Sequence, residues 1–161
     1  MKRRLRLLAA VAVVLVLVAG AVLIPRYRYR SEVRSAITRY DLALGDALRD
    51  LDPERLGDTA YPREKTRVTN YITSLWGRGV KVDAELLELE VVEIRSAEPT
   101  ITVRALERWR FVERDKDTDK QIGEPVDESN DLTYILVKDA NGRIAVYLSQ
   151  LTEDLEETAE Q

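Results

Sequence analysis

The chain has 161 residues, of which 45% are hydrophobic and 34% are charged, and it contains neither cysteine nor histidine. Those absences exclude a disulfide scaffold, a thiolate or imidazole metal site and a Ser-His-Asp hydrolase. The net charge of -4 combines two unlike parts, because residues 1–30 carry seven basic and no acidic side chains. The other 131 residues carry 18 bases and 29 acids, so the sequence predicts a basic segment joined to an acidic domain.

Residues 7–24 are an unbroken run of 18 residues without a charged side chain. As an α-helix this run would rise about 27 Å, close to the hydrocarbon thickness of a bilayer. Pro25 ends the run, and Tyr27 and Tyr29 follow where interfacial aromatic residues are usual. We therefore expect residues 1–30 to be a transmembrane signal anchor that contacts membrane lipid.

A cleaved signal peptide is the alternative, because Ala19, Gly20 and Ala21 have the small-x-small form that signal peptidase accepts. The apolar run continues past this point, which favours the anchor. The N-terminal flank is slightly more basic than the other, so we expect a cytoplasmic N-terminus, a single pass through the cell membrane and a domain outside the cytoplasm. The domain is predicted over residues 31–151 and an acidic, disordered tail over residues 152–161.

Three helices are predicted after the anchor. From residue 31, apolar side chains recur every three or four positions and form one stripe on a helix of about 20 residues. Asp52 and Pro53 predict the start of a short second helix, and Pro62 predicts the start of a third that ends by Gly79. The stripe of the first helix consists of Val33, Ile37, Tyr40, Leu44, Ala47 and Leu51.

From residue 80 the apolar period changes to two, which predicts strands. The phase of the alternation slips at Leu87 and again at Val92. A slip of one residue turns the buried face outward unless a bulge absorbs it, so we expect a long, bent first strand with one or two β-bulges. A turn at Pro99 leads to a second strand, whose apolar residues lie at odd positions between residues 101 and 111.

The last third of the domain is predicted to complete an antiparallel meander. Residues 115–130 are expected to form a polar loop, followed by a third strand over 132–137 and a fourth over 144–148. Asn141 and Gly142 predict a type I′ hairpin turn between the third and fourth strands. Three helices followed by four strands is an α+β order. Helices on a curved, bulged sheet of four strands resemble the cone of the nuclear-transport-factor-2-like (NTF2-like, or cystatin-like) superfamily, so we expect that fold.

Two segments, residues 86–113 and 129–148, carry a closer resemblance. An ELLELEV-like strand, a following alternating strand and a hairpin of D-x-N-G-R type resemble the C-terminal domain of cyanobacterial and plastid division proteins. In plastids that domain lies in the intermembrane space and binds a partner's tail. The resemblance covers roughly residues 35–150, although Ile144 stands where the family usually has an aromatic residue. It implies an NTF2-like fold and a style of binding rather than a division role.

Glu107 is the main candidate for a ligand pocket, because it occupies an odd position on a strand whose other odd residues are apolar. The superfamily resemblance implies that an acid on the concave face acts as a general base in its enzymes, with Tyr40 or Tyr134 as a hydrogen-bond donor. The plainer interpretation is that the strand bends at Glu107, or that Glu107 pairs with an arginine such as Arg108 or Arg110.

Three aromatic residues, Trp109, Phe111 and Tyr147, are candidates for a protein interface if they are exposed on the sheet, and otherwise belong to the core. The D-x-D-x-D spacing at residues 115–119 lacks the glycine and glutamate that a calcium loop needs, so no metal is predicted. The sequence has no phosphate-binding loop, and an acidic domain repels nucleic acid, so we expect neither a cofactor nor a nucleic-acid partner.

These observations predict a membrane-anchored, non-catalytic interaction or scaffold domain outside the cytoplasm, which binds another protein or itself through the curved sheet. The alternative is a small-ligand binder, or a weak isomerase or cyclase, that uses an acid in the cone pocket. A deep apolar cavity with one or two ionisable groups would favour the alternative, whereas a filled cone with apolar surface on the sheet would favour the scaffold.

Overall fold

The computed structural model describes residues 27–153. The chain divides into two compact units, Met1–Arg34 and Ser35–Gln161. The predicted anchor helix over residues 7–24 lies outside the described residues, as does most of the predicted acidic tail. Over residues 27–153, the structure contains no helix that is both long enough and apolar enough to span a membrane.

The helices follow the predicted order. Helix α1 occupies residues 27–50, a 3-10 helix occupies Pro53–Leu56, and α2 occupies Pro62–Arg78. The side chain of Asp52 accepts a hydrogen bond from the Glu54 amide, as expected of an N-cap. Gly79 adopts the left-handed conformation (φ 74°) that ends α2.

The four strands form one antiparallel sheet in the order β1-β2-β3-β4. The predicted irregularities of β1 are confirmed, because two register shifts against β2 leave Leu87 and Val92 as extra residues. Each bulge lets the strand bend without turning its apolar side chains outward. The strands are β1 (Val80–Ala97), β2 (Thr100–Asp115), β3 (Gln121–Lys138) and β4 (Ile144–Leu151).

The predicted polar loop over residues 115–130 is wrong for most of its length, because β3 begins at Gln121 and pairs with β2 from there. Residues 121–129 are exposed on both faces of the sheet. A strand that buries neither face has no apolar alternation, so its sequence is indistinguishable from that of a loop.

The predicted type I′ turn at Asn141 and Gly142 is also wrong. A type I′ turn needs a positive φ at both central residues, and only Gly142 (φ 82°) has one. The Asp139 carboxylate instead accepts hydrogen bonds from the backbone amides of Asn141 and Arg143, each at 2.9 Å. These bonds hold a wider loop between β3 and β4.

The concave face of the sheet has two distinct ends. At the covered end, odd-numbered residues of β2 and the β3 residues opposite them are buried, and Tyr40 of α1 meets Tyr134 of β3 edge to face. At the open end, β1, β2 and β3 continue beside α2, and Val126 and Ile122 are exposed. The covered end comprises Ile101, Val103, Ala105, Tyr134 and Leu136, and the open end comprises Phe111, Ile122, Val126 and the neighbouring Tyr71 of α2.

Candidate functional site

A cavity of ≈ 400 Å³ lies between α1 and the inner face of the sheet. Its walls combine leucine and aromatic side chains with a small number of ionisable groups, which is the usual composition of a ligand pocket. The ionisable and aromatic lining residues are Tyr40, Asp41, Arg67, Glu107, Trp109, Phe111 and Tyr134, and the apolar ones include Leu44, Leu48 and Leu132.

Glu107 lies at this cavity with only 2% of its surface exposed. The Tyr134 hydroxyl donates to Oε1 of Glu107 at 2.6 Å, and the Trp109 indole donates to Oε2 at 2.7 Å. Arg108 and Arg110 do not pair with Glu107 but with acids on exposed positions. The structure therefore brings Glu107 and Tyr134 together, as the ligand-pocket hypothesis requires.

Asp41 of α1 is a second acid in this cluster, and the sequence analysis missed it. The residue is 1% exposed, its Oδ1 lies 3.2 Å from the Tyr134 hydroxyl oxygen, and its Oδ2 has no hydrogen-bond partner. Burial raises the pKa of Asp41 well above its ordinary value, and the charge of Glu107 raises it further. Burial also raises the pKa of Glu107, against the opposing effect of its two donors.

The Tyr134 hydroxyl lies within hydrogen-bond distance of both acids, Glu107 and Asp41. Tyr134 has one hydroxyl proton, and the shorter contact gives that proton to Glu107. The longer contact, from the Tyr134 hydroxyl to Oδ1 of Asp41 at 3.2 Å, competes for the same proton. Two buried carboxyl groups thus share one hydroxyl proton of Tyr134.

A second buried acid, Glu64 of α2, has a different environment. Arg67 donates to both of its oxygens, with Nε at 3.0 Å from Oε2 and Nη2 at 2.5 Å from Oε1. Tyr40 donates to Oε1, and Ser149 of β4 donates through its hydroxyl at 2.9 Å and its amide at 3.2 Å. Burial alone would raise the pKa of Glu64, but the bonds and charge of Arg67, together with the bonds from Tyr40 and Ser149, outweigh burial and lower that pKa.

The two clusters are neighbours, because the rings of Tyr40 and Tyr134 meet with centroids 6.2 Å apart and an interplanar angle of 79°. Tyr40 therefore lines the cavity as predicted, but its hydroxyl donates a hydrogen bond to Glu64 rather than to Glu107. The clusters differ in how charge is neutralised. Glu64 has a guanidinium partner, whereas Asp41 and Glu107 have only uncharged donors among the described residues, namely Tyr134 and, for Glu107, also Trp109.

The three interface candidates have different positions. Trp109 is 5% exposed and stacks on Phe111, with ring centroids 5.9 Å apart. Phe111 is half-buried and borders the open end. Tyr147 is half-buried against the Tyr61 ring, with the Arg63 guanidinium 5.5 Å from its ring centre. Of the three, only Phe111 lies beside the exposed apolar residues of the concave face.

The segment with D-x-D-x-D spacing has a local role. Oδ1 of Asp115 accepts bonds at 2.8 Å from the amide and the hydroxyl of Thr118, and these bonds shape the turn between β2 and β3. Across residues 27–153, no three acidic side chains are grouped so that they could hold a metal ion.

No protein-family profile matches this chain. No curated protein sequence matches it either. Solved structures do match. The intermembrane-space region of the chloroplast protein ARC6 superposes with a TM-score of 0.63 at 14% identity, over 74% of this chain and 92% of that one. The second unit has an NTF2-like fold. An NTF2-like superfamily protein from Salmonella enterica matches this chain with a TM-score of 0.52 at 13% identity, over 79% of this chain and 92% of its own.

A periplasmic fragment of TraM also superposes on this chain, with a TM-score of 0.52 at 9% identity, over 74% of this chain and 97% of that fragment. At these identities the matches establish the fold alone. The predicted α+β architecture with a four-stranded antiparallel sheet is thereby confirmed, as is the NTF2-like part of the resemblance.

Proposed function

We propose that the chain is a single-pass membrane protein whose NTF2-like domain lies outside the cytoplasm and binds another protein without catalysing a reaction. The observation that carries the binding role is the open end of the concave face. Val126 and Ile122 are 51% and 43% exposed there, and Tyr71 is 48% exposed beside them. Large apolar side chains grouped on one concave surface are typical of a protein-binding site.

The proposed location rests on the sequence and on analogy. Residues 7–24 have the length and composition of a membrane span, with basic flanks on both sides. Two of the structural matches are an intermembrane-space region and a periplasmic fragment of larger proteins. An NTF2-like domain on the outer side of a membrane is consistent with both facts.

The binding role is tested by photocrosslinking in the native host. A photoreactive amino acid replaces Val126 in the full-length chain, and the control replaces exposed Ala140 in the β3–β4 loop. We expect a defined crosslinked species from position 126 and none from position 140. Identical patterns from both positions, or no product from position 126, would contradict the role.

The location is tested on the same cells. We expect the full-length chain in the membrane fraction, with the domain degraded by protease added to cells whose outer permeability barrier has been opened. Recovery of a shortened chain in the soluble fraction would instead establish the cleaved signal peptide, with processing near Ala21.

A second candidate function is a small-ligand binder or weak proton-transfer enzyme, and the burial of Glu107 at a cavity of ≈ 400 Å³ favours it. The chain has two tryptophans, so Trp76→Phe leaves Trp109 as the only one, in the wall of that cavity. If this function is correct, some members of a panel of fragment-sized aromatic compounds will shift the Trp109 emission, and Glu107→Gln will weaken their binding. An emission spectrum unchanged by the whole panel would exclude it.

A further inference from the structure

The open end has a shape and a charge that together define what it can bind. A cavity of ≈ 450 Å³ lies there between α2 and the strands, with Tyr71, Phe111, Ile122 and Val126 on its apolar walls. This volume accommodates several side chains of a partner, and burial of apolar side chains against its walls is favourable in free energy.

Three carboxylates, those of Glu113, Glu124 and Glu128, line the same cavity. Glu113 is 3.4 Å from the guanidinium of Arg78, whereas Glu124 and Glu128 form no ion pair within the part of the chain that the structure describes. The arginines of β2 are committed elsewhere, each to an acid of its own: Arg104 to Asp131, Arg108 to Glu88, Arg110 to Asp127 and Arg114 to Asp83. The apolar walls therefore have a negatively charged rim.

The free edge of β3 is poorly suited to receive a partner strand. β4 pairs with β3 only from Leu132 onward, so residues 121–131 have no strand on that side among those described. Pro125 provides no amide proton, and the register shift beside Gly123 (φ 72°) distorts the edge. Proline and bulges are the features that protect edges from strand addition. At residues 123–125, beside the apolar and acidic side chains of the open end, we therefore expect contact through side chains rather than through a backbone ladder.

We propose that the open end binds a partner helix whose apolar stripe is flanked by lysine or arginine residues, an inference that rests on the protein-binding role proposed above. The apolar side chains of the helix fill the space between Tyr71 and Val126. Its basic side chains meet Glu124 and Glu128 at the rim, where opposite charges provide specificity and speed association.

The test uses two model peptides, each an 18-residue helix with the same leucine stripe, flanked by lysine in one and by glutamate in the other. Binding to the full-length chain is measured by fluorescence anisotropy in one nonionic detergent, so that the micelle background is common to all proteins. The variants are Val126→Ser, which removes apolar contact, and the double substitution Glu124→Lys with Glu128→Lys. The matched control is Glu90→Lys with Glu93→Lys, at exposed positions on β1.

The lysine peptide is expected to bind the unmodified chain at least about tenfold more tightly than the glutamate peptide. Val126→Ser should weaken the lysine peptide, and the Glu124/Glu128 double variant should reverse the preference, whereas the β1 variant should leave it in place. Equal binding of both peptides to the unmodified chain would overturn the proposal. So would an equal change in the preference for the lysine peptide in the Glu124/Glu128 variant and in the Glu90/Glu93 control. If position 126 still crosslinks a partner in cells, such a result refutes the basic helix while the protein-binding role stands.

Discussion

The covered and open ends of the concave face are made by the same two strands, yet they have opposite relations to stability. At the covered end, helices exclude water from residues such as Val103 and Leu136, both 0% exposed. At the open end, the same strands continue beside α2, and Ile122 and Val126 of β3 stay about half exposed to water, at 43% and 51%. Residues that stabilise the fold and residues available for binding are thus separated along one strand pair, so each group can be changed independently of the other.

The covered end itself contains a second contrast, between its two buried acid clusters. Glu64 is a charged carboxylate that Arg67 neutralises and that joins α2 to β4 through Ser149. Asp41 and Glu107 join α1 to the sheet with one proton and no cation. The first cluster is expected to weaken as the pH falls and the second as the pH rises, because the pKa of Glu64 is lowered and that of Asp41 is raised.

The largest effect is expected from Glu64→Gln. One hydrogen bond to a charged group contributes about 1.5–3 kcal/mol, and Glu64 accepts several, so we expect a loss of about 3 kcal/mol in the free energy of unfolding. The lowered pKa of Glu64 gives stability that is present above its unfolded pKa and lost as the pH falls through its folded pKa. Urea unfolding at several pH values measures both effects. Glu90→Gln, at an exposed position, is the control, and equal losses in the two variants would show that Glu64 has no special role.

A smaller loss is expected from Gly45→Ala. A Cβ at Gly45 would lie 2.8 Å from the Ala84 carbonyl oxygen, so α1 has to move away from β1. Overpacking costs about 1–3 kcal/mol, which exceeds the gain of about 1 kcal/mol that alanine brings to a helix.

Gly77→Ala in α2 is the matched control, because nothing lies within 4 Å of its added Cβ. It should therefore stabilise the domain, by up to about 1 kcal/mol. If both substitutions stabilise the domain in thermal unfolding, α1 does not approach β1 as closely as the structure indicates.

Asp41→Asn should change the pH dependence of stability more than its value in acid. A raised folded pKa gives stability that is fully present below the unfolded pKa and is lost as the pH rises through the folded pKa. Asparagine has the shape of the protonated acid but no proton to lose. We therefore expect the unmodified chain to lose stability toward alkaline pH and the variant to lose less. Asp46→Asn, on an exposed part of α1, is the control, and parallel curves for Asp41→Asn and the unmodified chain would contradict a raised pKa of Asp41.

The smallest effect is expected from Val126→Ser, even though the residue lies on a strand. An exposed substitution away from packing contacts changes stability by at most about 0.5 kcal/mol. Thermal unfolding should therefore be unchanged while peptide binding weakens. A clear loss of stability would mean that the open end belongs to the core, and the contrast between the two ends would no longer hold.

The sequence predicted those parts of the fold that bury one face. The stripe on α1 and the phase slips at Leu87 and Val92 are imprints of burial, and the structure confirms them. Residues 121–129 left no such imprint, because both of their faces are exposed. The start of β3 was therefore not predictable from apolar periodicity, although the proposed function uses this part of the sheet most.

The site was predictable only where an acid interrupted an apolar pattern. Glu107 did so on a strand of period two. Asp41 lies four residues after Ile37 and directly after Tyr40, at the edge of the helical stripe, where a charged residue normally reaches solvent. Glu64 similarly resembles a favourable acid in the first turn of a helix. The local pattern does not reveal that these two carboxyls are buried, because the strand residues that contact them, Tyr134 for Asp41 and Ser149 for Glu64, are distant in sequence.

The two β-bulges of β1 also constrain how the length of this chain can vary. Leu87 and Val92 are unpaired against β2, so removal of either one leaves every remaining rung of the ladder matched. Such a deletion would straighten the strand and flatten the cone over the helices. Removal of any paired residue nearby would instead turn the remainder of β1 over, exposing its apolar side. Sequence alignments of homologous chains should therefore place single-residue gaps in this strand at positions 87 and 92 or nowhere.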